Sequence, residues 1–147
     1  MVTIPGGAFQ MGSTAPEIEA AELWYKQHSP DFPRELVLRE QPRRAVSVST
    51  FRLDTLEVTN QEFGNWLNQQ KDLRLRDDRW AELDGVLLAD LYPPYTPWHG
   101  LVVQDGRITA PVGTEHKPAT QLTWEAARRY CVSRGKRLPT EAEWEFA

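Results

Sequence analysis

The amino-acid sequence predicts an irregular α+β domain with short strands and a few capped helices. Apolar and polar residues alternate only over short runs, which is typical of short, half-buried strands. Two of the apolar helical patterns begin with Thr-x-x-Glu, the sequence of a capping box. Eleven prolines and nine glycines among 147 residues predict many turns. Together these observations favour a fold with little regular secondary structure.

The first strands are predicted at the N-terminus. Residues 1–4 and 8–11 are extended apolar runs, and Pro5-Gly6-Gly7 between them is typical of a turn. Residues 45–58 form the clearest strand region of the chain, because apolar and polar residues alternate over most of their length.

The segment between these strands is predicted to hold one short helix and a surface loop. Pro16 and the acidic residues after it are suited to the first turn of a helix. Residues 28–42 contain three prolines and are predicted to form a loop. Trp24, Tyr25 and Phe32 make this segment a candidate partner-binding loop, and the alternative is an ordinary insertion.

The sequence Thr59-Asn60-Gln61-Glu62 is a capping box and predicts a helix that extends to about residue 69. Apolar positions spaced three and four apart give this helix one inner face. The residues on that face are Phe63, Trp66, Leu67 and Gln70.

The middle of the chain, residues 71–100, is the least readable part. A helix over residues 79–90 is one expectation, although Asp84-Gly85 weakens it. Asp105-Gly106 lies between the extended runs 101–104 and 107–110, which predicts a β-hairpin with a type I′ turn.

A third helix is predicted over residues 124–134, with Thr123 as its N-cap and a glycine in the left-handed position after it. Trp124, Ala127 and Cys131 fall on one line of this helix. We therefore expect Trp124 and Cys131 to be buried packing residues.

The sequence Thr140-Glu141-Ala142-Glu143 is a second capping box, and it begins a helix that carries Trp144 and Phe146. We expect Trp144 to be buried as well. The sequence ends at Ala147, after fewer than two helical turns, and helices this short are unstable alone. We therefore expect residues 1–147 to be the N-terminal part of a single domain, with a partner surface covering the last helix.

Composition and charge exclude several classes of protein. Hydrophobic residues make up 40% of the chain and charged residues 26%, which fits a globular domain with a core. The net charge of −4 lacks the basic excess of a nucleic-acid-binding surface. No apolar stretch is long enough to span a membrane, and no signal peptide is evident. The single cysteine excludes an internal disulfide and favours a cytoplasmic protein.

Few side chains are candidates for chemistry. Cys131 is the only thiol, and nearby arginines would lower its pKa if they approached it, although its place on an apolar line favours a structural role. None of the three histidines pairs with another at helical spacing, and His28 stands alone. His99 and His116 could share a metal site with Glu115 if the hairpin between them brought its ends together.

The clustered carboxylates and basic residues each have two interpretations. Carboxylates near strand and helix starts could form a calcium or acid–base site, but helix capping is favoured. These carboxylates are Asp54, Glu57, Glu62, Glu141, Glu143 and Glu145. The basic stretch lacks the interleaved aromatics of single-strand binders, which favours a solvated face. It consists of Arg128, Arg129, Arg134, Lys136 and Arg137.

Four motifs occur in order along the chain. The first motif is residues 4–13 (IPGGAFQMGS), and the second is residues 57–60 (EVTN) followed by Phe63. The third consists of Pro118, Leu122-Thr123-Trp124, Ala126-Ala127 and Tyr130-Cys131. The fourth is residues 135–147 (GKRLPTEAEWEFA). Together they resemble the formylglycine-generating enzyme, or sulfatase-modifying-factor, domain family. The last motif is the most specific, because it matches over thirteen consecutive positions. Residues 14–42 and 71–116 are variable connections between the motifs.

The resemblance implies a variant of the C-type-lectin-like fold. It also implies copper-dependent oxidation of a protein cysteine to formylglycine, with a pair of active-site cysteines in the C-terminal part of the domain. Cys131 matches a helix cysteine of the third motif and is not carried over as catalytic. We predict no catalytic, cofactor-binding or metal-binding residue in this chain, and expect copper or calcium only in a completed domain.

The same superfamily includes iron-dependent sulfoxide synthases, ligand-binding domains and domains appended to bacterial kinases. Ser133 stands where many members carry Trp, which is compatible with a divergent, non-catalytic member. The first hypothesis is therefore a non-catalytic scaffold, or a ligand- or protein-binding portion of such a domain. The alternative is the structural half of a copper-dependent oxidase whose catalytic residues lie beyond residue 147.

The two hypotheses share their expected partners. These are the remaining C-terminal part of the domain, a partner chain, or a second copy of this chain through self-association. Neither nucleic acid nor a membrane is expected as a partner.

Overall fold

The structure is a computed structural model that describes residues 1–29, 31–91 and 100–147 of the chain. The helices are α1 Ala15–His28, α2 Arg34–Leu38, α3 Asn60–Asn68, α4 Trp124–Ser133 and α5 Glu141–Phe146. The strands are β1 Val2–Ile4, β2 Gly7–Met11, β3 Arg44–Val48, β4 Phe51–Leu53, β5 Arg74–Arg76, β6 Trp80–Leu83, β7 Val86–Asp90, β8 Val102–Gln104 and β9 Arg107–Thr109.

The strands form small antiparallel sheets within the described part of the chain. β1 pairs with β4, β2 pairs with β3, and β8 pairs with β9. A fourth sheet has three strands in the order β5-β6-β7. This mixture of short strands and capped helices confirms the predicted α+β class. None of the described helices has both the length and the apolar character needed to cross a bilayer.

The chain forms two compact units, and the first unit contains Met1–Leu53 together with Pro139–Ala147. In this unit the last helix, α5, packs on β2. The ring of Phe146 meets the ring of Phe9 edge-on, with 5.2 Å between their centroids. The Gly12 amide donates a hydrogen bond of 2.7 Å to the Glu145 carboxylate. The Phe9–Phe146 ring contact and the Gly12–Glu145 hydrogen bond therefore attach α5 to β2 and to the residue that follows it.

The predicted strand region at residues 45–58 is divided into β3 and β4, which pair with different partners. Residues 54–58 lie outside any strand, so the predicted extent is wrong there. A close backbone approach at Gly6 explains its glycine. A Cβ at this position would lie 2.6 Å from both the Thr50 nitrogen and the Val48 carbonyl oxygen. A side chain is therefore excluded in the turn between β1 and β2.

The segment between β2 and β3 is more helical than the sequence pattern predicts. α1 is 14 residues long rather than short, and α2 occupies part of the predicted 28–42 loop. Pro33 has the extended backbone of an N-cap and directly precedes α2. A proline is tolerated at a helix start, because no intrahelical bond needs its missing N–H. Proline content alone was therefore a poor guide to this loop.

The second unit, Asp54–Leu138, contains the hydrophobic core. α3 begins at the Thr59–Glu62 capping box, and Phe63, Trp66 and Leu67 of its predicted inner face are buried. Gln70, which was predicted on the same face, lies beyond the end of the helix and is half-buried. The rest of the cluster comes from the β6–β7 hairpin, from the β8–β9 region and from α4. The buried core residues are Phe63, Trp66, Leu67, Ala81, Leu88, Ala89, Leu91, Leu101, Ile108, Ala126 and Tyr130.

The helix expected over residues 79–90 is wrong, because this segment is the β6–β7 hairpin. Asp84 and Gly85 have φ angles of 54° and 74°, and two successive positive φ values are incompatible with a right-handed helix. The predicted hairpin at Asp105-Gly106 is confirmed. Its φ angles of 51° and 72° give it the same kind of turn.

α4 begins and ends as the sequence predicts. The Thr123 hydroxyl accepts a hydrogen bond of 3.2 Å from the Ala126 amide. After the helix, Gly135 adopts a φ of 66°, and the Lys136 amide donates to the Cys131 carbonyl at 2.9 Å. This pattern is a Schellman motif, which satisfies the last carbonyl groups of the helix.

The predicted burial of the two helix tryptophans is wrong. Trp124 is 69% exposed and Trp144 is 65% exposed. The buried residues of α4 are Ala126 and Tyr130, and Cys131 is half-buried beside them. Residues two apart on a helix are about 200° apart in direction, so burial of Ala126 turns Trp124 to the other side.

Candidate functional site

A cleft of about 440 Å³ lies between α1 and α2 in the first unit, and we call it the α1–α2 cleft. α1 supplies most of its wall. Its contributing residues are Glu19, Glu22, Leu23, Tyr25 and Lys26. Phe32, from the connection, and Arg34 and Val37, from α2, line the other side. The cleft therefore lies in the variable segment whose aromatic residues marked it as a candidate binding loop.

Aromatic stacking shapes one side of the cleft. The rings of Tyr25 and Phe32 are nearly parallel, with 3.9 Å between centroids and 8° between planes. Trp24 meets Tyr25 edge-on and stacks on the His28 ring at 4.4 Å. His28 Nδ1 lies 2.8 Å from the Trp24 carbonyl oxygen. The structure thus brings the predicted aromatics together and gives His28 a packing role.

Charged groups surround this aromatic surface. The Arg34 Nε donates to the Glu22 carboxylate at 2.7 Å, so one ion pair joins α2 to α1. Glu19 and Lys26 lie on the same side of α1, one turn before and one turn after Glu22. The Glu22–Arg34 pair has no signal in the sequence, because the two residues are twelve positions apart and meet only through the geometry of the connection.

The start of α1 carries a capping box formed by Thr14 and Glu17, which was not among the predicted caps. The Thr14 amide and hydroxyl both donate to the Glu17 carboxylate at 2.7 Å, and Arg43 adds a charged hydrogen bond. These contacts hold the pKa of Glu17 at about 2, with the Thr14 amide as the largest cause. The signal was available in the sequence, since Thr14-Ala15-Pro16-Glu17 has the Thr-x-x-Glu spacing.

Cys131 has the surroundings of a structural thiol. Burial raises its pKa, and the negative charge of Asp54 raises it further, whereas Lys136 acts in the opposite direction. The Lys136 ammonium group donates to both Asp54 oxygens, at 2.7 and 2.9 Å, so its charge is largely engaged there. The reactive thiolate form is therefore disfavoured at neutral pH.

The arginines near Cys131 in sequence have other contacts. Arg128 and Arg129 both donate to the Glu125 carboxylate, and Arg129 also reaches Asp84 at 3.0 Å. Arg134 lies over the Tyr130 ring, 5.2 Å from its centroid. These contacts favour the interpretation of the basic stretch as a solvated, internally paired face.

The carboxylates singled out from the sequence have structural partners in several cases. Glu62 accepts from the Thr59 amide and hydroxyl, and these bonds lower its pKa. Glu143 is buried and accepts from the Thr140 amide at 2.8 Å. Both capping boxes are therefore confirmed. Glu145 accepts a hydrogen bond from the Gly12 amide, and Asp54 forms an ion pair with Lys136.

The candidate metal site of His99, His116 and Glu115 lies partly outside the described residues, because His99 is not among them. His116 is exposed at the protein surface. The backbone carbonyl of Glu115 accepts a hydrogen bond from the Gln61 amide at 3.0 Å. Within residues 1–29, 31–91 and 100–147, no three His, Cys, Asp or Glu side chains are grouped to hold a metal ion.

A second, shallower pocket of about 250 Å³ lies against α4 in the second unit. Trp66 and Leu83 form part of its apolar wall, and Val132 and Ser133 complete one side. The Ser133 hydroxyl donates to the Tyr130 carbonyl at 2.6 Å and does not fill the space. The pocket therefore includes the position at which the sequence departs from the motif.

These features define a small α+β domain in which the motif residues cap helices and fill a core. Its sequence matches the family described as Sulfatase-modifying factor enzyme 1-like domain over residues 1–147. The chain belongs to this family, which confirms the resemblance drawn from the four motifs.

Individual relatives extend this comparison. The chain is 32% identical to the Inactive C-alpha-formylglycine-generating enzyme 2 of Bos taurus, covering all of this chain and 48% of that protein. It is 30% identical to the Formylglycine-generating enzyme of Thermomonospora curvata, again over all of this chain and 48% of the relative. The Formylglycine-generating enzyme of Bos taurus is 31% identical, with 38% of its length covered. The chain thus spans about half or less of the length of these curated relatives.

Proposed function

We propose that these 147 residues form the scaffold portion of a formylglycine-generating-enzyme-like domain and carry no catalytic group of their own. The environment of Cys131 is the observation that carries this proposal. Its thiol is half-buried in the packing of α4 and its pKa is raised, and Lys136, whose charge acts to lower that pKa, is bound to Asp54. A nucleophilic or metal-binding cysteine needs the opposite conditions, which are exposure and a lowered pKa.

The residues around Cys131 do not fit the copper that the family resemblance implies. Copper(I) is held by soft thiolate or thioether ligands. Here one thiol, with a raised pKa, stands beside the Asp54–Lys136 ion pair. The capping carboxylates Glu62 and Glu143 are likewise committed to backbone amides and are poor candidates for calcium. No reaction step is therefore assigned to this chain.

The exposed tryptophans support a binding role for the scaffold. Trp144 in the first unit and Trp124 in the second unit are both largely exposed, although each lies in a motif of the family. Large exposed aromatic groups favour association with another surface. We propose that the partner is the remaining part of the domain, either in the same polypeptide or as a partner chain.

The alternative is the structural half of a copper-dependent oxidase that converts a protein cysteine to formylglycine. The identities of 30% and 31% to two proteins named formylglycine-generating enzyme support it. However, the chain is 32% identical to a relative that is named inactive. Similarity over this half of the domain therefore does not separate the two hypotheses.

An oxidation assay tests the scaffold proposal. The purified chain, supplied with copper and a cysteine-containing sulfatase peptide, should leave the peptide mass unchanged. The matched control is Cys131→Ser, which should behave identically. Conversion by the unmodified chain that is lost in Cys131→Ser would overturn the proposal.

A capture experiment tests the proposed partner. Immobilised chain should retain the separately produced C-terminal half of the Thermomonospora curvata relative, and Trp144→Ala should reduce the retained amount. Trp24→Ala is the control, because Trp24 is also an exposed tryptophan of the first unit but lies outside the family motifs. Absence of capture by the unmodified chain, or equal capture by Trp144→Ala, would contradict the proposal.

A further inference from the structure

The α1–α2 cleft combines an apolar floor with a charged rim. Val37 is buried, and Tyr25 and Phe32 beside it are half-buried. Glu19 and Lys26, on the cleft side of α1, are exposed at the rim. The cleft volume of about 440 Å³ falls within the range of ligand pockets, about 300–1,000 Å³. The cleft therefore has the size and the mixed lining of a small-ligand site.

The charges that line the cleft balance one another. Glu19 and Glu22 supply two negative charges, and Lys26 and Arg34 supply two positive charges. Glu22 and Arg34 form an ion pair within the chain. Within residues 1–29, 31–91 and 100–147, Glu19 and Lys26 make no ion pair and no side-chain hydrogen bond. The lining therefore favours neither a simple anion nor a simple cation, and a ligand with one charge of each sign is complementary to it.

The two unpaired charges have a defined separation. Glu19 and Lys26 are seven residues apart on α1, which places them about 20° apart around the helix and about 10.5 Å apart along its axis. An extended peptide spans at most about 3.3–3.6 Å per residue, so three residues span about 10–11 Å. The charged termini of a free tripeptide are therefore about as far apart as these two positions on the helix.

The groups between the two charges suit the middle of such a peptide. Arg34 binds Glu22 through its Nε atom, and in the described part of the chain its terminal nitrogen atoms make no hydrogen bond. Those nitrogen atoms can donate to a peptide carbonyl group. Phe32 and Val37, which line the same side of the cleft as Arg34, offer apolar surface to a central side chain.

We propose that the α1–α2 cleft binds a free peptide of about three residues, with its amino group at Glu19 and its carboxylate at Lys26. The central residue of the peptide is apolar, and an aromatic residue suits the cleft best because it can pack on Phe32. Both ion pairs are exposed at the rim, so they set the direction of the peptide and add little affinity. Binding is accordingly weak, in the micromolar to millimolar range.

This site is independent of the scaffold proposal. It lies in a variable connection of the chain, residues 14–42, whereas the scaffold proposal concerns Cys131 and the motif tryptophans. Oxidation activity of the chain would leave peptide binding unchanged, and failure to bind peptide would leave the scaffold proposal intact.

An NMR titration of the isotope-labelled chain with the tripeptide Ala-Phe-Ala tests the site. The amide signals of α1 and α2 should shift until they saturate. N-acetyl-Ala-Phe-Ala lacks the amino charge and Ala-Phe-Ala amide lacks the carboxylate, so each should bind about threefold to fivefold more weakly, as expected for one exposed ion pair. Ala-Gly-Ala keeps both charges but has no aromatic ring, and it should bind about tenfold more weakly.

Two cleft variants assign the ends of the peptide. Glu19→Gln should bind the free and the acetylated peptide equally but should still prefer the carboxylate to the amide. Lys26→Gln should show the reverse pattern. Glu35→Gln and Lys71→Gln are the matched controls, because they remove the same charges at exposed residues outside the cleft, and they should keep both preferences. Circular dichroism of each variant checks that α1 remains folded.

Several results would overturn the inference. These are the absence of saturable shifts at millimolar peptide, equal binding of all four peptides, and charge preferences that survive in both cleft variants. Loss of the carboxylate preference in Glu19→Gln, with loss of the amino preference in Lys26→Gln, would contradict the direction assigned to the peptide. Shifts of the cleft signals that depend on chain concentration alone, with no response to peptide, would assign the cleft to a second copy of the chain instead.

Discussion

The two compact units stabilise themselves in different ways. The second unit buries a continuous cluster of apolar side chains, in which the rings of Phe63, Trp66 and Tyr130 pack against one another at 5.2 to 5.7 Å. The described part of the first unit has only four buried apolar residues. These are Met11, Ile18, Val37 and Phe51.

The first unit relies instead on local caps and on contacts between distant segments of the chain. Glu17 caps α1 and binds Arg43, and α5 is attached through Phe146 and Glu145. This unit also leaves Trp24 and Trp144 exposed. Buried apolar side chains thus stabilise the second unit, whereas the first unit depends more on helix caps and on contacts between segments that are far apart in the sequence.

The largest expected effect is on the core of the second unit. Phe63 is 1% exposed and touches two other rings, so Phe63→Ala should lower the free energy of unfolding by about 3–5 kcal/mol. Urea denaturation followed by tryptophan fluorescence measures this change. Phe9→Ala is the matched variant in the first unit, where Phe9 is half-buried and, among the described residues, meets one ring, that of Phe146. A loss as large as that of Phe63→Ala would contradict the comparison between the units.

Helix caps come next in size. Thr59→Ala removes the N-cap of α3 in the second unit, and Thr140→Ala removes that of α5 in the first unit. Each should cost about 1 kcal/mol, and Thr→Ser at either position should restore most of it. Amide hydrogen exchange separates the units. We expect Thr140→Ala to increase exchange mainly in the first unit, and uniform exchange in both units would contradict this.

Some of these features could be predicted from the sequence because they are local. The capping boxes at Thr59 and Thr140 and the turn at Asp105-Gly106 each depend on fewer than five consecutive residues. The buried face of α3 followed from the helical period alone. Asp84-Gly85 carried the same turn signal as Asp105-Gly106, but the apolar residues around it led to the wrong expectation of a helix.

Other features depend on contacts between segments that are far apart in the sequence, and local sequence patterns do not predict those contacts. A helical period defines the faces of α4 but not the face that turns inward, so Trp124 was misplaced. The candidate cleft was anticipated only through its aromatics. The Tyr25–Phe32 stack and the Glu22–Arg34 ion pair both require the path of the connection before α2, which proline content did not reveal.

A smaller effect is expected from acidification. The Thr14 and Arg43 contacts hold the pKa of Glu17 at about 2, and the Arg128 and Arg129 contacts do the same for Glu125, from an ordinary value of 4.5. A lowered folded-state pKa stabilises the protein above pH 4.5, and the contribution is lost as the pH falls from 4.5 towards 2. Glu17 is exposed and Glu125 is half-buried at the surface, so solvent screens both carboxylates and each contribution is modest.

A variant of either carboxylate should change the stability at low pH of only the unit in which that carboxylate lies. Glu17→Gln should flatten the pH dependence of hydrogen exchange in the first unit, and Glu125→Gln should do so in the second unit. The measurement compares exchange at pH 5 and pH 3. An unchanged pH dependence in both variants would show that these ion pairs contribute nothing measurable.

The smallest effect is expected at the exposed tryptophans. Trp144→Ala and Trp124→Ala should each cost about 1 kcal/mol or less, because most of each side chain already contacts solvent. Trp66→Ala is the control, since Trp66 is buried between Phe63 and Tyr130 and should cost about 3–5 kcal/mol. Denaturation midpoints measure the loss of stability in each variant. Acrylamide quenching of tryptophan fluorescence measures how exposed the remaining tryptophans are. A cost at Trp144 as large as at Trp66 would contradict the exposed position of Trp144.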